Sequence, residues 1–213
     1  MDNSGRFPFA SGSRVTKRTR GYLPHWEQEG GIYFVTYHLG DSLPASVRAR
    51  IAQRKAALEA ARRSGRKLVP MESVLAHELS SRKIEAYLDA GYGECVLRRP
   101  ECAGVVAESL GFYEGQRYEF EAWCIMPNHV HAVFQPLRGY GLARIVGRWK
   151  WLTARRINAI LKRRGRLWQR EYYDHLIRDE AELARAVEYV RKNPERAGLK
   201  EWPWVYVKER WRE

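Results

Sequence analysis

The segment Arg117–Gln135, RYEFEAWCIMPNHVHAVFQ, decides the fold that the rest of the chain must complete. It contains two runs rich in aromatic and β-branched residues, 117–125 and 129–135. Proline and asparagine, which favour turns, stand between the runs in the Met-Pro-Asn step at 126–128. The segment therefore predicts two antiparallel strands joined as a hairpin.

The elements predicted on either side of this hairpin complete one α+β domain. They are a strand at 31–39, a helix at 101–113, a helix at 141–164, a short strand at 172–177 and a helix at 179–192. Asp179 and Glu182 form a capping box at the start of the last helix, and Pro194 is predicted to end it. The order β-α-β-β-α-β, followed by one more helix, is the ferredoxin-like, split βαβ pattern of an antiparallel sheet with helices.

Residues outside this pattern form an arm, an insertion and a tail. Residues 1–21 are polar and basic and are expected to be a flexible arm carrying Arg18 and Arg20. Residues 22–204 are expected to form a single domain, interrupted by a helical insertion at about 44–95 with helices at 45–63 and 72–89. Residues 205–213 are expected to be a C-terminal tail.

Composition points to a polyanionic partner. The 213 residues are 45% hydrophobic, which is enough for a core, and 38 Lys and Arg against 25 Asp and Glu give a net charge of +13. Such an excess of positive charge favours a nucleic acid as the binding partner. The sequence has no apolar run long enough to span a bilayer and no secretory signal, so no membrane partner is expected. Three cysteines without a CxxC pair favour a reducing compartment, so a cytoplasmic, nucleoid-associated protein is expected.

Two histidines in the second hairpin strand could bind one metal ion. Side chains alternate along a strand, so His129 and His131 leave the same face while Val130 points to the other. Two incidental histidines on a half-exposed strand are the alternative. A zinc site formed by Cys124, His129 and His131 is a second alternative, although the paired-cysteine spacing of structural zinc sites is missing.

The helix at 179–192 carries a tyrosine outside its apolar stripe. Leu183, Val187 and Val190 define the core face, and Tyr189 lies about 120° from its centre. Asn193 follows four residues later on the side of Tyr189. A surface tyrosine and an asparagine that caps the helix are the alternatives.

The stretch 138–170 contains 11 Lys or Arg and no Asp or Glu. Phosphate contacts explain such a bias, and interleaved tryptophans could stack on unpaired bases or pack in the core. The candidate DNA-binding residues are Arg18, Arg20, Arg148, Trp149, Lys150, Trp151, Arg155, Arg156, Lys162, Arg163 and Arg164. Trp168 is a further tryptophan of the stretch.

Four segments in order resemble the REP-associated members of the single-tyrosine HUH transposases, the IS200-like family. Ala122–Phe134 resembles the family's His-hydrophobic-His motif. Residues 23–36 resemble its first strand, 167–178 the block before its last helix, and 188–199 its tyrosine helix and Asn-Pro turn. Together the segments span about 22–204, and the insertion at about 44–95 is longer than the matching connection in compact members.

The resemblance implies a site and a reaction. His129, His131 and Asn193 match the family's metal ligands, and Tyr189 matches its nucleophile. The implied activity is cleavage and rejoining of single-stranded DNA through a 5′-phosphotyrosyl intermediate, on DNA that folds into hairpins. Mg²⁺ or Mn²⁺ is the implied cofactor, and no nucleotide cofactor is required. Either a monomer or a homodimer is compatible with the family.

Other protein classes share parts of this pattern. A histidine-triad hydrolase needs a third alternating histidine, where this chain has Val133. A relaxase or replication initiator is expected to have a third histidine near the pair, and only the distant His175 is a candidate. The main alternative is a non-catalytic, domesticated protein that recognises hairpin repeats without cleaving them.

Overall fold

The computed structural model describes residues 16–20, 23–64 and 81–212. Within these residues the strands are β1 Thr16–Arg20, β2 Leu23–Glu27, β3 Tyr33–His38, β4 Tyr118–Ile125, β5 His129–Pro136, β6 Tyr173–Leu176 and β7 Val205–Val207. The α-helices are α1 Ala45–Arg63, α2 Ser81–Asp89, α3 Pro100–Gly111, α4 Leu142–Ile160 and α5 Glu180–Arg196. None of the described helices is long and apolar enough to cross a membrane.

The central sheet confirms the predicted fold class. Its strand order is β6-β3-β5-β4-β7, and every neighbouring pair is antiparallel. Strands β3, β4, β5 and β6, with α3 and α4 as the connecting helices, reproduce the split βαβ order. β7 adds a fifth strand next to β4, and β1 pairs with β2 in a separate two-stranded sheet.

The two faces of the sheet bury different sets of side chains. On one face, alternate residues of β3 and β5, such as Val35, Val130 and Ala132, pack with α3 and α4. On the other face, Cys124 and Val133 pack against the apolar stripe of α5. This division follows from strand alternation, and it places His129 and His131 on the side of the sheet that α5 covers.

Helix α5 passes through Pro194, so the prediction that the proline ends the helix is wrong. Proline removes one hydrogen bond to the preceding turn, but the turn that follows keeps its own bonds. The Ala197 N–H donates to the Asn193 carbonyl, and the Leu199 N–H donates to the Pro194 carbonyl. The helix ends where Gly198 takes a left-handed conformation with φ of 71°.

Two other segments differ from the predicted organisation, and a third is described only in part. Residues 205–207 of the predicted tail form β7, because the apolar residues of this run pair with β4. Residues 16–20 of the predicted arm pair with β2 as a strand, and 1–15 lie outside the described residues. Helix α2 covers 81–89 of the helix predicted at 72–89, and residues 72–80 also lie outside the described part.

A buried carboxylate attaches the C-terminal segment to the sheet. Glu121 on β4 is 5% exposed, and it accepts hydrogen bonds from Arg210 at 2.6 Å and from the Trp211 indole at 2.7 Å. The Lys208 ammonium lies 3.5 Å from the same side chain. These contacts follow β7 directly and hold the segment against β4.

We expect Glu121→Gln to lower the free energy of unfolding by about 1.5–3 kcal/mol, because the buried side chain loses the charge that strengthens its hydrogen bonds from Arg210 and Trp211. Urea denaturation measures this loss. Glu119→Gln is the matched control, because exposed Glu119 lies 3.6 Å from Lys208 and should change stability by less than about 1 kcal/mol. Equal effects of the two changes would contradict the role given to Glu121.

Candidate metal and nucleophile site

The histidine pair lies at the start of β5, completely buried beneath α5. His129 and His131 are both 0% exposed, and their Nε2 atoms are 3.0 Å apart. Burial lowers the pKa of both imidazoles, so both rings are neutral at pH 7. The two rings thus bring two nitrogens to one point, as strand alternation predicts.

Each imidazole is held in orientation by a hydrogen bond at its other nitrogen. Asn128 Oδ1 lies 2.7 Å from His129 Nδ1, and Thr36 Oγ1 lies 2.7 Å from His131 Nδ1. The Asn128 amide group donates to the carbonyls of Leu88 and Tyr92, so its oxygen must accept from His129. His129 therefore carries its proton on Nδ1 and keeps an Nε2 lone pair directed at His131.

Tyr189 packs beside the pair. Its ring lies edge-on to the His131 ring, with the centroids 5.3 Å apart. The Phe34 ring stacks on His131 at 5.4 Å and also contacts Tyr189 at 5.7 Å, so the three rings contact one another. The Arg196 guanidinium lies 5.3 Å from the centre of the Tyr189 ring. The structure therefore brings the predicted nucleophile into contact with one of the predicted metal ligands.

The surroundings of Tyr189 favour its protonated form. Burial raises the pKa of Tyr189 above its ordinary value, and the carboxylates of Glu85 and Asp89 raise it further. The nearby Arg196 cation acts in the opposite direction. Both carboxylates belong to α2, so the predicted insertion contributes directly to the electrostatics around Tyr189.

Asn193 supplies a buried oxygen that lacks a hydrogen bond. It lies one turn after Tyr189, is 2% exposed, and its Oδ1 has no hydrogen-bond partner in the described part of the chain. An unsatisfied buried acceptor costs about 1–3 kcal/mol unless a ligand or ion satisfies it. Asn193 therefore offers an unsatisfied oxygen to a ligand or ion, on the same helix as Tyr189. It lies inside α5 and does not cap the helix.

Sequence reasoning missed one histidine beside this pair. His38 is opposite His129 in the β3–β5 register, contrary to the expectation of no third histidine near the pair. Its Nδ1 lies 2.6 Å from Ser42 Oγ, and burial lowers its pKa to about 4. The alternation Phe34, Thr36, His38 was visible in the sequence, but only the register places His38 beside His129.

His175 and Cys124 are the other histidine and cysteine considered as metal ligands. His175 lies 2.8 Å from Glu182 on α5. Cys124 is opposite His131 in register, and burial raises the pKa of its thiol. Among the described residues no group of three or more His, Cys, Asp or Glu is placed to hold a metal ion. The two imidazoles, one of which contacts Tyr189, and the Asn193 amide oxygen, one helical turn after Tyr189, are the donors predicted from the sequence.

The candidate DNA-binding residues lie mainly on α4, which packs on the opposite face of the sheet from the histidine pair. Trp151 is 50% exposed between Arg148 and Arg155, whose guanidinium carbons are 5.6 Å and 4.8 Å from its ring centre. Lys150 donates to the Arg170 carbonyl, and burial lowers its pKa to about 8. An aromatic ring flanked by two guanidinium groups is therefore exposed on this helix.

Other members of the set have different environments. Trp149 is 2% exposed and its indole N–H donates to the Tyr118 hydroxyl, so Trp149 is a core residue and the expectation that it stacks on DNA bases is wrong. Trp168 is likewise buried. Arg156 pairs with Glu108 and Arg163 with Glu94. Lys162 and Arg164 are exposed, and the side chains of Arg18 and Arg20 lie outside the described residues.

Comparison with known proteins agrees with the resemblance drawn from the sequence. A candidate REP-associated tyrosine transposase of Haemophilus influenzae is 31% identical over 105 residues, which cover 42% of this chain and 60% of that protein. This chain therefore matches less than two thirds of that relative's length.

The comparison also finds two solved structures. One is a REP-associated tyrosine transposase bound to a REP hairpin, with 15% identity, 89% of this chain and 81% of that chain covered, and a TM-score of 0.48. The other is a candidate transposase of Deinococcus radiodurans R1, with 13% identity, 83% and 97% covered, and a TM-score of 0.32.

The family model of the IS200-like transposases matches residues 107–193. This range contains the histidine strand, the basic helix α4 and the tyrosine helix up to Asn193. The match agrees with the family predicted from the sequence: residues 107–193 are similar to the IS200-like transposases.

Proposed function

We propose that this protein cleaves and rejoins single-stranded DNA by tyrosine transesterification, with Tyr189 as the nucleophile. One observation carries the proposal: the Tyr189 ring contacts His131, and the His131 Nε2 lies 3.0 Å from that of His129. A phenol beside two convergent, neutral imidazoles is suited to attack on a phosphodiester held at the same point.

The donors near Tyr189 fit a divalent metal ion. Nitrogens 3.0 Å apart can both bind one ion at ordinary metal–nitrogen distances of about 2 Å, and the Asn193 Oδ1 acceptor is otherwise unsatisfied. His129, His131 and Asn193 would hold Mg²⁺ or Mn²⁺, which polarises a phosphoryl oxygen when bound. Imidazole ligands favour Mn²⁺ over Mg²⁺.

The proposed reaction exchanges one phosphodiester for another. Tyr189 Oη forms a bond to the scissile phosphorus while the bond from phosphorus to the 3′ oxygen breaks. The phenol loses its proton, and the leaving 3′ oxygen gains one. The 5′ phosphate stays on Tyr189 until a 3′ hydroxyl reverses the step, so the bond is conserved and no nucleotide cofactor is required.

The exposed face of α4 is the proposed DNA-backbone surface. Arg148, Trp151 and Arg155 combine two cations with an accessible ring, as in proteins that bind single-stranded nucleic acid. We propose hairpin-forming DNA as the substrate, in keeping with the relative solved with a REP hairpin. DNA that contacts both α4 and Tyr189 must pass around an edge of the sheet.

The proposal is tested with a labelled single-stranded oligonucleotide from the DNA flanking the gene, incubated with Mn²⁺ or Mg²⁺. We expect label to migrate with the protein on a denaturing gel, and EDTA to prevent this. Tight hairpin binding without a covalent adduct under either metal would favour the non-catalytic DNA-binding alternative.

We expect Thr36→Val to weaken Mn²⁺ binding by about 10- to 100-fold, because the change keeps the side-chain shape and removes the hydrogen bond that orients His131. Isothermal titration calorimetry measures the affinity. Thr36→Ser retains the hydroxyl and should bind Mn²⁺ like the wild type. Unchanged binding by the valine variant would show that the Thr36 hydroxyl does not position His131.

A further inference from the structure

A cavity of about 290 Å³ opens directly beside Tyr189. Phe34, Tyr173 and Tyr189 line it with aromatic surface, and Glu85, Glu182 and Arg185 add charged groups. Phe34 connects the cavity to the metal site, because its ring stacks on His131 and lies 6.4 Å from the Tyr173 ring. An aromatic cavity thus adjoins both the proposed nucleophile and the proposed metal ligands.

The charges of the cavity disfavour a phosphate inside it. Two carboxylates, one guanidinium and the His175 imidazole line it, so the cavity has no excess of positive charge to hold a phosphate. The Glu182 carboxylate accepts hydrogen bonds from the Arg178 N–H and from His175 Nε2, so it is fixed in place. Burial and nearby carboxylates, Glu85 among them, also raise the pKa of Tyr173, which keeps that ring neutral. A neutral, flat ligand suits these walls better than an anion.

We propose that this cavity binds the nucleobase of the nucleotide whose 5′ phosphate becomes attached to Tyr189. The inference rests on the proposed function. That nucleotide remains tethered to Tyr189 after cleavage, so its base stays within reach of a cavity that the Tyr189 ring itself lines. Stacking of this base on Tyr173 and Phe34 would hold the 5′ end of the tethered DNA fragment in place until the strands are rejoined.

Helix α2 gives the insertion a part in this site. Glu85 of α2 lines the cavity together with residues of β6 and α5. Carboxylates accept hydrogen bonds from the exocyclic amino groups of bases, as in contacts to cytosine N4. The insertion thus contributes selectivity for an amino-bearing base at the position that follows the cleaved bond.

The test compares two substrates that differ only at this nucleotide, one with its base and one abasic. We expect the wild type to form the covalent adduct about 10-fold faster with the base present, which corresponds to the energy of one aromatic stacking contact. Tyr173→Leu should lose this preference, and Tyr173→Phe, which keeps the ring, should retain it. Equal rates on both substrates, or an equal slowing of both by Tyr173→Leu, would overturn the proposal.

A second measurement separates this inference from the cleavage chemistry. 2-Aminopurine is placed at successive positions of the oligonucleotide, which is then bound to the Tyr189→Phe protein. We expect one position at which fluorescence is quenched and at which Tyr173→Leu restores it. If no position behaves in this way, the proposed base pocket is overturned, even if the wild type cleaves DNA. If quenching occurs but the wild type forms no covalent adduct, the base pocket stands and the proposed reaction is refuted.

Discussion

Replacing Tyr189 with phenylalanine is expected to lower formation of the covalent protein–DNA adduct by about 1,000-fold or more, because the change removes only the attacking oxygen. The ring contacts with Phe34 and His131 do not need the hydroxyl, so the fold should be unchanged. Hairpin binding should also stay within about twofold, since the proposed backbone surface lies on α4. Gel analysis of the adduct and fluorescence anisotropy for binding provide the two readouts.

Two neighbouring tyrosines are the controls for this prediction. Tyr172 and Tyr173 lie on or next to β6, which β3 separates from the histidine strand β5 in the sheet. Tyr172→Phe and Tyr173→Phe should each form the adduct at nearly the wild-type rate. Adduct formation by Tyr189→Phe would remove Tyr189 from the nucleophile role and would make one of these two the candidate.

Replacing His131 with alanine is expected to lower Mn²⁺ affinity and adduct formation by about 100-fold or more. The change removes one of two convergent nitrogens, and it also removes the ring that contacts both Phe34 and Tyr189. Calorimetry with Mn²⁺ alone measures the first effect without any DNA. A thermal melt establishes whether the variant remains folded.

His175→Gln is the matched histidine control for metal binding. His175 pairs with Glu182 and is not part of the convergent pair, so its replacement should leave Mn²⁺ affinity unchanged. If His131→Ala binds Mn²⁺ as tightly as the wild type, the two imidazoles do not form the metal site. If His175→Gln weakens binding as much as His131→Ala, the site lies elsewhere on this side of the sheet.

The sequence was sufficient for the strands, helices and residues whose patterns are local. The hairpin at 117–135 and the alternation of His129 and His131 depend on neighbours within a few residues, and the structure agrees with both. The boundaries of α1 are also as predicted. The sequence distinguishes Tyr189 because its helical position falls outside the apolar stripe. In the structure Tyr189 packs at the edge of that stripe, beside His131.

Contacts between distant segments could not be read from local patterns. His38 and Thr36 reach the site only through the register of β3 against β5. Glu85 and Asp89 influence Tyr189 only because the fold brings α2 close to this tyrosine. Trp149 and Trp151 are two residues apart, but their positions on α4 place one in the core and leave the other exposed.

The central claim is that Tyr189 itself becomes linked to DNA. Trypsin cleaves after Arg and Lys, so it releases Tyr189 in the peptide Ala186–Arg191, AVEYVR, where it is the only tyrosine. Tyr172 and Tyr173 leave together in Glu171–Arg178, EYYDHLIR. After digestion of the adduct with trypsin and nuclease, mass spectrometry should find a nucleotide attached to AVEYVR. A nucleotide on EYYDHLIR, with AVEYVR unmodified, would contradict the proposed mechanism.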